Sequence, residues 1–460
     1  MSPKKSLSRR QFLVGLQAAA VTVVAASCAP QPTPAPAAAP KPAATEAAAA
    51  KPAATAAPAP KAKQIVRFTM FGHPNMVEQM VPLFNMKHPD VEVQFERSES
   101  QGYYEKLPAA IAGGGAWDVF RLGLDWGQQY GGKNALADVT DLLKADTQYP
   151  ASGYVDGLLD AWKVAGKQIG IPGWTNNFWL YYNKKLFDEA GIAYPTTKTT
   201  WDEYVEMTKK LTKRDGNTIT QYGAANWGAS ITRCRVDVWN AGAPFWYTDD
   251  LNAVSFNNPT AVKVMQDEAD MMNVHKVHPS PLNPPSSPAT MLSKKVATEM
   301  MGDWYAWDQV SSWSPDFQVT MLPLRGDKRT NLYVHDGLCV NAQSKVKEAA
   351  YKWVSWWSCD PESWNVQGPV VFPTTKKMYE DPTLRALWAR APRPQTMIDL
   401  AMEHVKYARF NRLGIEAAQM TNEVWNPEVD NLWRAKVTAQ QAMDTIQTKA
   451  TELMKKTRGA

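Results

Sequence analysis

Aromatic side chains dominate what this sequence could do chemically. Its 460 residues include 19 Trp, 16 Tyr and 13 Phe. An indole has a wide apolar face and one polar edge. So many of them serve either a large core or flat platforms for a ligand with apolar faces. The stretch Trp174-Thr175-Asn176-Asn177-Phe178-Trp179 sets planar amides beside flat rings. Within it Trp174 and Asn176 suit ligand contact, whereas Phe178 and Trp179 suit the start of a buried strand. Trp227, Trp239 and Asn240 fall in a loop-rich stretch and are further candidates. Bond-breaking chemistry has less support. The sequence holds no Gly-x-Ser-x-Gly, no Gly-x-x-x-x-Gly-Lys-Ser/Thr and no His-Glu-x-x-His. Asp125 and Asp303 could converge as paired carboxylates, but so could any two acids in a cleft. His275-x-x-His278 could present two metal ligands on one helix face, yet Pro279 and the prolines around it favour a loop. Neither a metal nor a cofactor is expected.

The N-terminus carries a different chemistry. Ser8-Arg9-Arg10-Gln11-Phe12-Leu13 resembles a twin-arginine export signal, and the apolar stretch 12–26 is too short to span a bilayer. It ends Ala25-Ala26-Ser27-Cys28, which looks like a bacterial lipoprotein cleavage site. Small residues there admit a peptidase, and the Cys28 thiol accepts the lipid. Residues 1–27 thus read as a signal peptide. Residues 29–63 contain 17 Ala and 9 Pro, too little apolar bulk to fold. The segment 28–63 reads as a tether that, at about 3.1 Å per residue, reaches up to roughly 100 Å. The net charge of +5 belongs to these two segments, so the body from residue 64 onward is slightly acidic. That argues against a nucleic-acid-binding surface. Cys234, Cys339 and Cys359 remain, allowing at most one disulfide, and no Cys-x-x-Cys is present.

The body is 64–460, and its hydrophobic content supports a sizeable core. Ile65 to Phe71 reads as a strand, and Met76, Val77, Met80, Val81 and Phe84 share one helical face before Pro89. Val91 to Phe95 alternates as a second strand. Tyr104 to Ala112 is helical and ends at Gly113-Gly114-Gly115; Asp118 to Leu122 is a third strand. This βαβαβ order implies a parallel sheet with helices on its faces. Open α/β sheets bind ligands at the carboxyl ends of their strands. That makes His73, after strand one, and Asp125 and Trp126, after strand three, candidate contacts. Thr200-x-x-Glu203 is a capping box, Asn258-Pro259 a helix start, and Ser344 precedes a helix with Val346, Ala349, Ala350, Trp353, Val354 and Trp357 on one face.

Several stretches together resemble the extracellular solute-binding proteins of bacterial ABC importers, in the branch of the maltose- and sugar-binding proteins. The most specific runs from Leu180-Tyr181-Tyr182-Asn183-Lys184 through Leu186-Phe187-Asp188-Glu189-Ala190-Gly191, then Pro195 and Thr200-Trp201-Asp202-Glu203. Tyr104 to Ala112-Gly113, Trp117-Asp118-Val119, Gly170-Ile171-Pro172, Lys294 to Gly302-Asp303-Trp304, Ser344 to Ala350 and Gly368 to Pro373 follow in the family's order.

The resemblance implies an α/β, two-lobed, Venus-flytrap fold with three crossings and a ligand cleft between the lobes. One lobe is placed at 64–171 plus 336–384, the other at 172–335 plus 385–460. Carry-over makes Trp304 a ring that stacks on the ligand and sets Asn176 where the maltose-binding protein has a carboxylate. Trp307 and Asp336, at the second crossing, complete the candidates. The implied function is capture of a carbohydrate, an oligosaccharide, by a monomer anchored through Cys28 outside the cytoplasmic membrane, for delivery to the permease subunits of an ABC importer, without catalysis. Other branches bind glycerol phosphate, polyamines, thiamine or iron. A sensory lipoprotein and an exported polysaccharide-active enzyme are the alternatives from other classes.

Overall fold

The computed structural model describes residues 62–459, apart from 100–101, 113–116, 227–229, 283, 286–288, 305–315, 328, 391–392 and 411. The signal peptide, Cys28, nearly all of the tether, Trp227 and Trp307 lie outside the described residues.

The body begins with β1 (Gln64–Phe71), α1 (Pro74–Lys87), β2 (Val91–Ser98), α2 (Tyr103–Ala112), β3 (Val119–Gly123) and α3 (Leu124–Gly132). β1 pairs in parallel with both β2 and β3, as the βαβαβ pattern requires. Val66, Phe68 and Met70 of β1 and Met76, Val77, Met80 and Phe84 of α1 close on each other in the core. The chain continues through β4 (Ile171–Asn176), β5 (Phe178–Asn183), α4 (Lys184–Ala190), α5 (Trp201–Leu211), β6 (Lys213–Asp215) and β7 (Thr218–Asn226). Then come α6 (Ile231–Asn240), α7 (Pro259–Asn273), β8 (Val296–Gly302), β9 (Phe317–Thr320), β10 (Asn331–Val340), α8 (Lys347–Cys359) and β11 (Ala408–Phe410).

Two sheets result. The first has the order β11-β10-β3-β1-β2, with β4 also paired to β10. The second has the order β9-β5-β8-β7-β6. A single residue, Asn177, separates β4 in the first sheet from β5 in the second. Across the division set at 171/172 and 335/336, Pro172, Trp174, Thr175 and Asn176 of β4 pair with β10, and Asn331, Leu332 and Tyr333 of β10 pair with β11, all in the first sheet. Strands that pass between sheets keep their ladder until the last residue that can find a partner.

Local signals behave as their chemistry dictates. Thr200 and Glu203 form the reciprocal capping box of α5, and the Asn258 side chain accepts from Ala261 N at the start of α7. Ser344 does not cap α8; its hydroxyl donates to Asp118 Oδ1 at 2.6 Å, and the helix starts at Lys347. Most of the aromatic wealth serves the core. Among the described residues ten tryptophans are fully buried, Trp353, Trp356 and Trp357 of α8 included. The Trp353 and Trp356 rings lie 5.0 and 5.4 Å from Phe84. Cys234, Cys339 and Cys359 are buried and free, so no disulfide forms among them.

The second sheet's helices enclose a charged knot. Arg233 of α6 pairs with Asp237 and, at 3.2 Å, with Glu268 of α7; Arg325 reaches Glu268 at 2.9 Å and Asp267 at 3.1 Å. The side chains of Arg233, Arg325 and Glu268 are at most 3% exposed. A buried charge that loses its partner keeps its desolvation cost, which amounts to about 3–5 kcal/mol. Glu268→Ala removes the carboxylate that both guanidiniums share and should lower the unfolding free energy by up to about that much. Chemical denaturation checks this, and a loss below about 1 kcal/mol would mean the knot is wetter than it looks.

Candidate functional site

The carboxyl ends of β1 and β3 meet at a polar group built around Arg121. Gly72 and His73 both take positive φ, 73° and 49°, which swings the chain from β1 into α1. Arg121 Nη1 donates to Phe71 O at 2.8 Å and Nη2 to Asp336 Oδ2 at 2.6 Å. The guanidinium also lies 4.0 Å from the Phe71 ring centre and 5.0 Å from that of Trp174. β10 places Asp336 opposite Gly123 of β3 and Trp174 of β4, which is why its carboxylate reaches Arg121. A side chain at Gly123 would stand 3.0 Å from Asp125 Oδ1 and 3.4 Å from the Tyr104 hydroxyl, so glycine lets these groups converge. Tyr104 accepts from Gly123 N at 3.0 Å, and its ring stacks on Trp126 at 4.8 Å with 6° between planes. His73 stands edge-on to Trp174 at 6.4 Å. Burial, and then the Arg121 charge, hold the His73 imidazole down to about 3, so it is neutral at physiological pH. Burial raises the Asp125 carboxyl to about 6, with Asp336 adding to the rise.

The crossing residue ties this group to the second sheet. With its amide oriented to satisfy both neighbours, Asn176 donates to Asp303 Oδ1 at 2.7 Å and accepts from Trp174 Nε1 at 3.1 Å. Asn177 N donates to Asp303 Oδ2 at 3.0 Å, and Asp303 N returns a bond to Asn177 O. Asp303 follows β8 and is 2% exposed, and burial lifts its carboxyl to about 8 against the opposing charge of Arg393. Next to it, the half-buried Trp304 meets Phe178 edge-on at 5.5 Å. Its ring folds so closely over Gly302 that a side chain there would overlap it at 2.0 Å.

The structure thus brings His73, Asp125, Trp126, Trp174, Asn176 and Asp336 into one connected neighbourhood, and the chain leads from Asp303 directly to Trp304. Trp174 and Asn176 are buried, with their polar edges spent on each other and on Asp303. Trp239 and Asn240 are elsewhere employed. Asn240 Oδ1 accepts from Thr330 N at 2.6 Å, and Trp239, 4% exposed, lies beneath the guanidiniums of Arg235 and Arg409. Its ring is therefore no open platform. Tyr104 and Arg121 were missed. Arg121 had a signal, a charge inside an otherwise apolar strand; Tyr104 had none, because only the fold sets it against Gly123. His278 does not pair with His275; its Nε2 accepts from Asn226 N at 2.7 Å. Among the described residues no group of three or more His, Cys, Asp or Glu could hold a metal ion.

Comparison with known proteins decides the family. Residues 73–358, more than half of the chain, match the bacterial extracellular solute-binding protein family. The chain belongs to that family. Among curated relatives of this solute-binding protein is the arabinooligosaccharide-binding protein of Halalkalibacterium halodurans, 24% identical over 359 residues, covering 69% of this chain and 76% of the relative. The mannitol-binding protein of Pseudomonas aeruginosa is 26% identical over 162 residues, 34% of this chain and 35% of the relative. Among solved structures, the ABC substrate-binding protein Lmo0181 of Listeria monocytogenes, in complex with cycloalternan, superposes with a TM-score of 0.77 at 24% identity, covering 85% of this chain and 99% of the other. Maltose-bound MalE3 of T. maritima gives 0.70 at 21% identity, over 85% and 99%. The solute-binding protein therefore has the two-lobed α/β fold of these structures, and its family consists of binding proteins rather than enzymes. Among the described residues, no helix is long and apolar enough to cross a membrane.

The buried acid at the crossing has a measurable signature. Its folded pKa of about 8 lies above the 3.8 of an ordinary aspartate, so the folded chain keeps a proton that the unfolded chain has lost. Stability from this group therefore falls as pH rises through that window. His73 works the other way, but only below 6.5. Between pH 6.5 and 8 the unfolding free energy should decline, and Asp303→Asn should flatten the decline. An equal slope in both proteins would mean that Asp303 is already ionised there.

Proposed function

We propose that this solute-binding protein captures an oligosaccharide between its lobes and passes it to an ABC permease, while anchored by lipid on Cys28 at the outer face of the cytoplasmic membrane. One observation carries the carbohydrate reading. Just past the crossing, Asp303 is locked by Asn176 and Asn177, and the ring of Trp304 that follows it stays half open. A sugar ring has C–H patches on its faces, which a partly open indole face suits. The relatives add support, since those named above are described by arabinooligosaccharide, mannitol, cycloalternan and maltose. A ligand that touches both lobes stabilises the closed form by its differential affinity for it, and the permease reads that form.

The reading is tested on a panel of neutral and acidic oligosaccharides by calorimetric titration, with Trp304→Ala as the diagnostic variant. Loss of a stacked indole costs a few kcal/mol at such positions, so affinity should fall about 30-fold or more. The unliganded melting temperature should move little, because the ring is only half-buried. Intact affinity with a collapsed melting temperature would make Trp304 a core residue and sink its role. The anchor has its own test. Cys28→Ala should shift the protein from the membrane fraction to the soluble one, and retention in membranes would refute lipidation.

A further inference from the structure

A cavity of about 420 Å³ lies in the first-sheet half, between α2, α3 and the turn after β10. Pro108 and Ile111 of α2 line it, with Trp126, Gln129 and Tyr130 of α3 and Ala342 from the turn. Ala342 N donates to Ala135 O at 3.1 Å, which ties the exit of β10 to the end of α3. Of these residues Trp126 also belongs to the neighbourhood of Arg121. Three rings step from that neighbourhood to the cavity. Tyr104 stacks on Trp126 at 4.8 Å, and Trp126 lies 5.9 Å from Tyr130 with 28° between planes. Trp126 and Tyr130 stand four residues apart in α3, so the helix sets both on one face.

Two polar atoms in this lining are unspent. Tyr130 is 4% exposed, yet among the described residues its hydroxyl has no hydrogen-bond partner. The buried Gln129 Oε1 has none either. Burial raises the Tyr130 hydroxyl to about 12, so it keeps its proton. Buried polar groups left unpaired are costly, and native folds rarely leave two side by side without something to meet them. What can meet them is selective. Gln129 Oε1 only accepts, so it needs a donor, which an anion lacks. An apolar molecule would leave both atoms unpaired. A sugar hydroxyl donates and accepts at once, and its ring carries C–H patches for Trp126, Pro108 and Ile111. Lys133, exposed and also in the lining, can donate to a further sugar oxygen.

We infer that this cavity takes a neutral sugar ring, the terminal unit of an oligosaccharide whose remainder lies beside the Arg121 group. The inference rests on the carbohydrate reading above and extends it, because it gives the solute a unit beyond those held at the crossing. Trp126 is the step between the two places, since it borders both.

The full-length protein is titrated calorimetrically with maltose to maltohexaose, with arabinobiose to arabinohexaose, and with the shortened homologues of any other neutral oligosaccharide the panel finds. In the series that binds, one added unit should raise affinity about 10-fold or more. Tyr130→Phe should cut that increment about 5-fold and leave the shorter members unchanged. The hydroxyl it removes is unpaired, so the unliganded melting temperature should not fall. Ala342→Leu, which narrows the cavity and is checked by melting temperature, should also reduce the increment. Affinity that stays flat with chain length would overturn the inference and leave the carbohydrate reading intact. So would an increment that survives both variants, or binding only of mannitol or an acidic saccharide. Binding of nothing on the panel would overturn both readings.

Discussion

The carboxyl of Asp303 is the fixed point around which this body is organised. It accepts from Asn177 N and from the Asn176 amide, and its own backbone N returns a bond to Asn177. A single residue carries the chain from one sheet to the other, and the end of β8 grips that residue from the far side. An acid at 2% exposure is costly to bury. Its hydrogen bonds from Asn176 and Asn177, together with the Arg393 charge, offset part of that cost. Around it the first sheet supplies Trp174 and the Arg121–Asp336 pair, and the second supplies Trp304. The neighbourhood is set by where the two sheets must exchange chain, not by any one loop.

That dependence explains how much could be read from the sequence. The βαβαβ unit was legible because Val66, Phe68 and Met70 alternate while Met76, Val77, Met80 and Phe84 recur at helical spacing. Those periods are local, and the sheet obeys them. The capping box at Thr200 and Glu203 and the Asn258-Pro259 start were legible for the same reason. The family was readable from ordered short matches. Side-chain roles were harder. Trp239 and Asn240 looked like open contacts because a loop-rich stretch hides nothing in sequence. In space α6 buries them, and Arg409, from far along the chain, comes to lie on Trp239. Tryptophan abundance was ambiguous between platform and core, and α8 resolves it for Trp353, Trp356 and Trp357 in favour of core.

The two arginine centres each find their opposite charge within their own group. At the ends of β1 and β3, Arg121 meets Asp336 and a backbone carbonyl, and the group is internally balanced. Inside the second half, Arg233 and Arg325 share Asp237, Asp267 and Glu268, and Lys263, 2.9 Å from Asp267, supplies the third cation.

The three thiols have a practical consequence. Cys234, Cys339 and Cys359 are buried and unbridged, and burial pushes each upward, Cys234 and Cys359 to about 12. Thiols kept protonated and enclosed are poor nucleophiles toward maleimides or oxidants. A cysteine engineered onto the surface of this body would therefore outcompete all three for a dye. Pairs of such handles, one on each sheet's outer helices, would let distance changes between the halves be followed molecule by molecule, with the native sequence otherwise untouched.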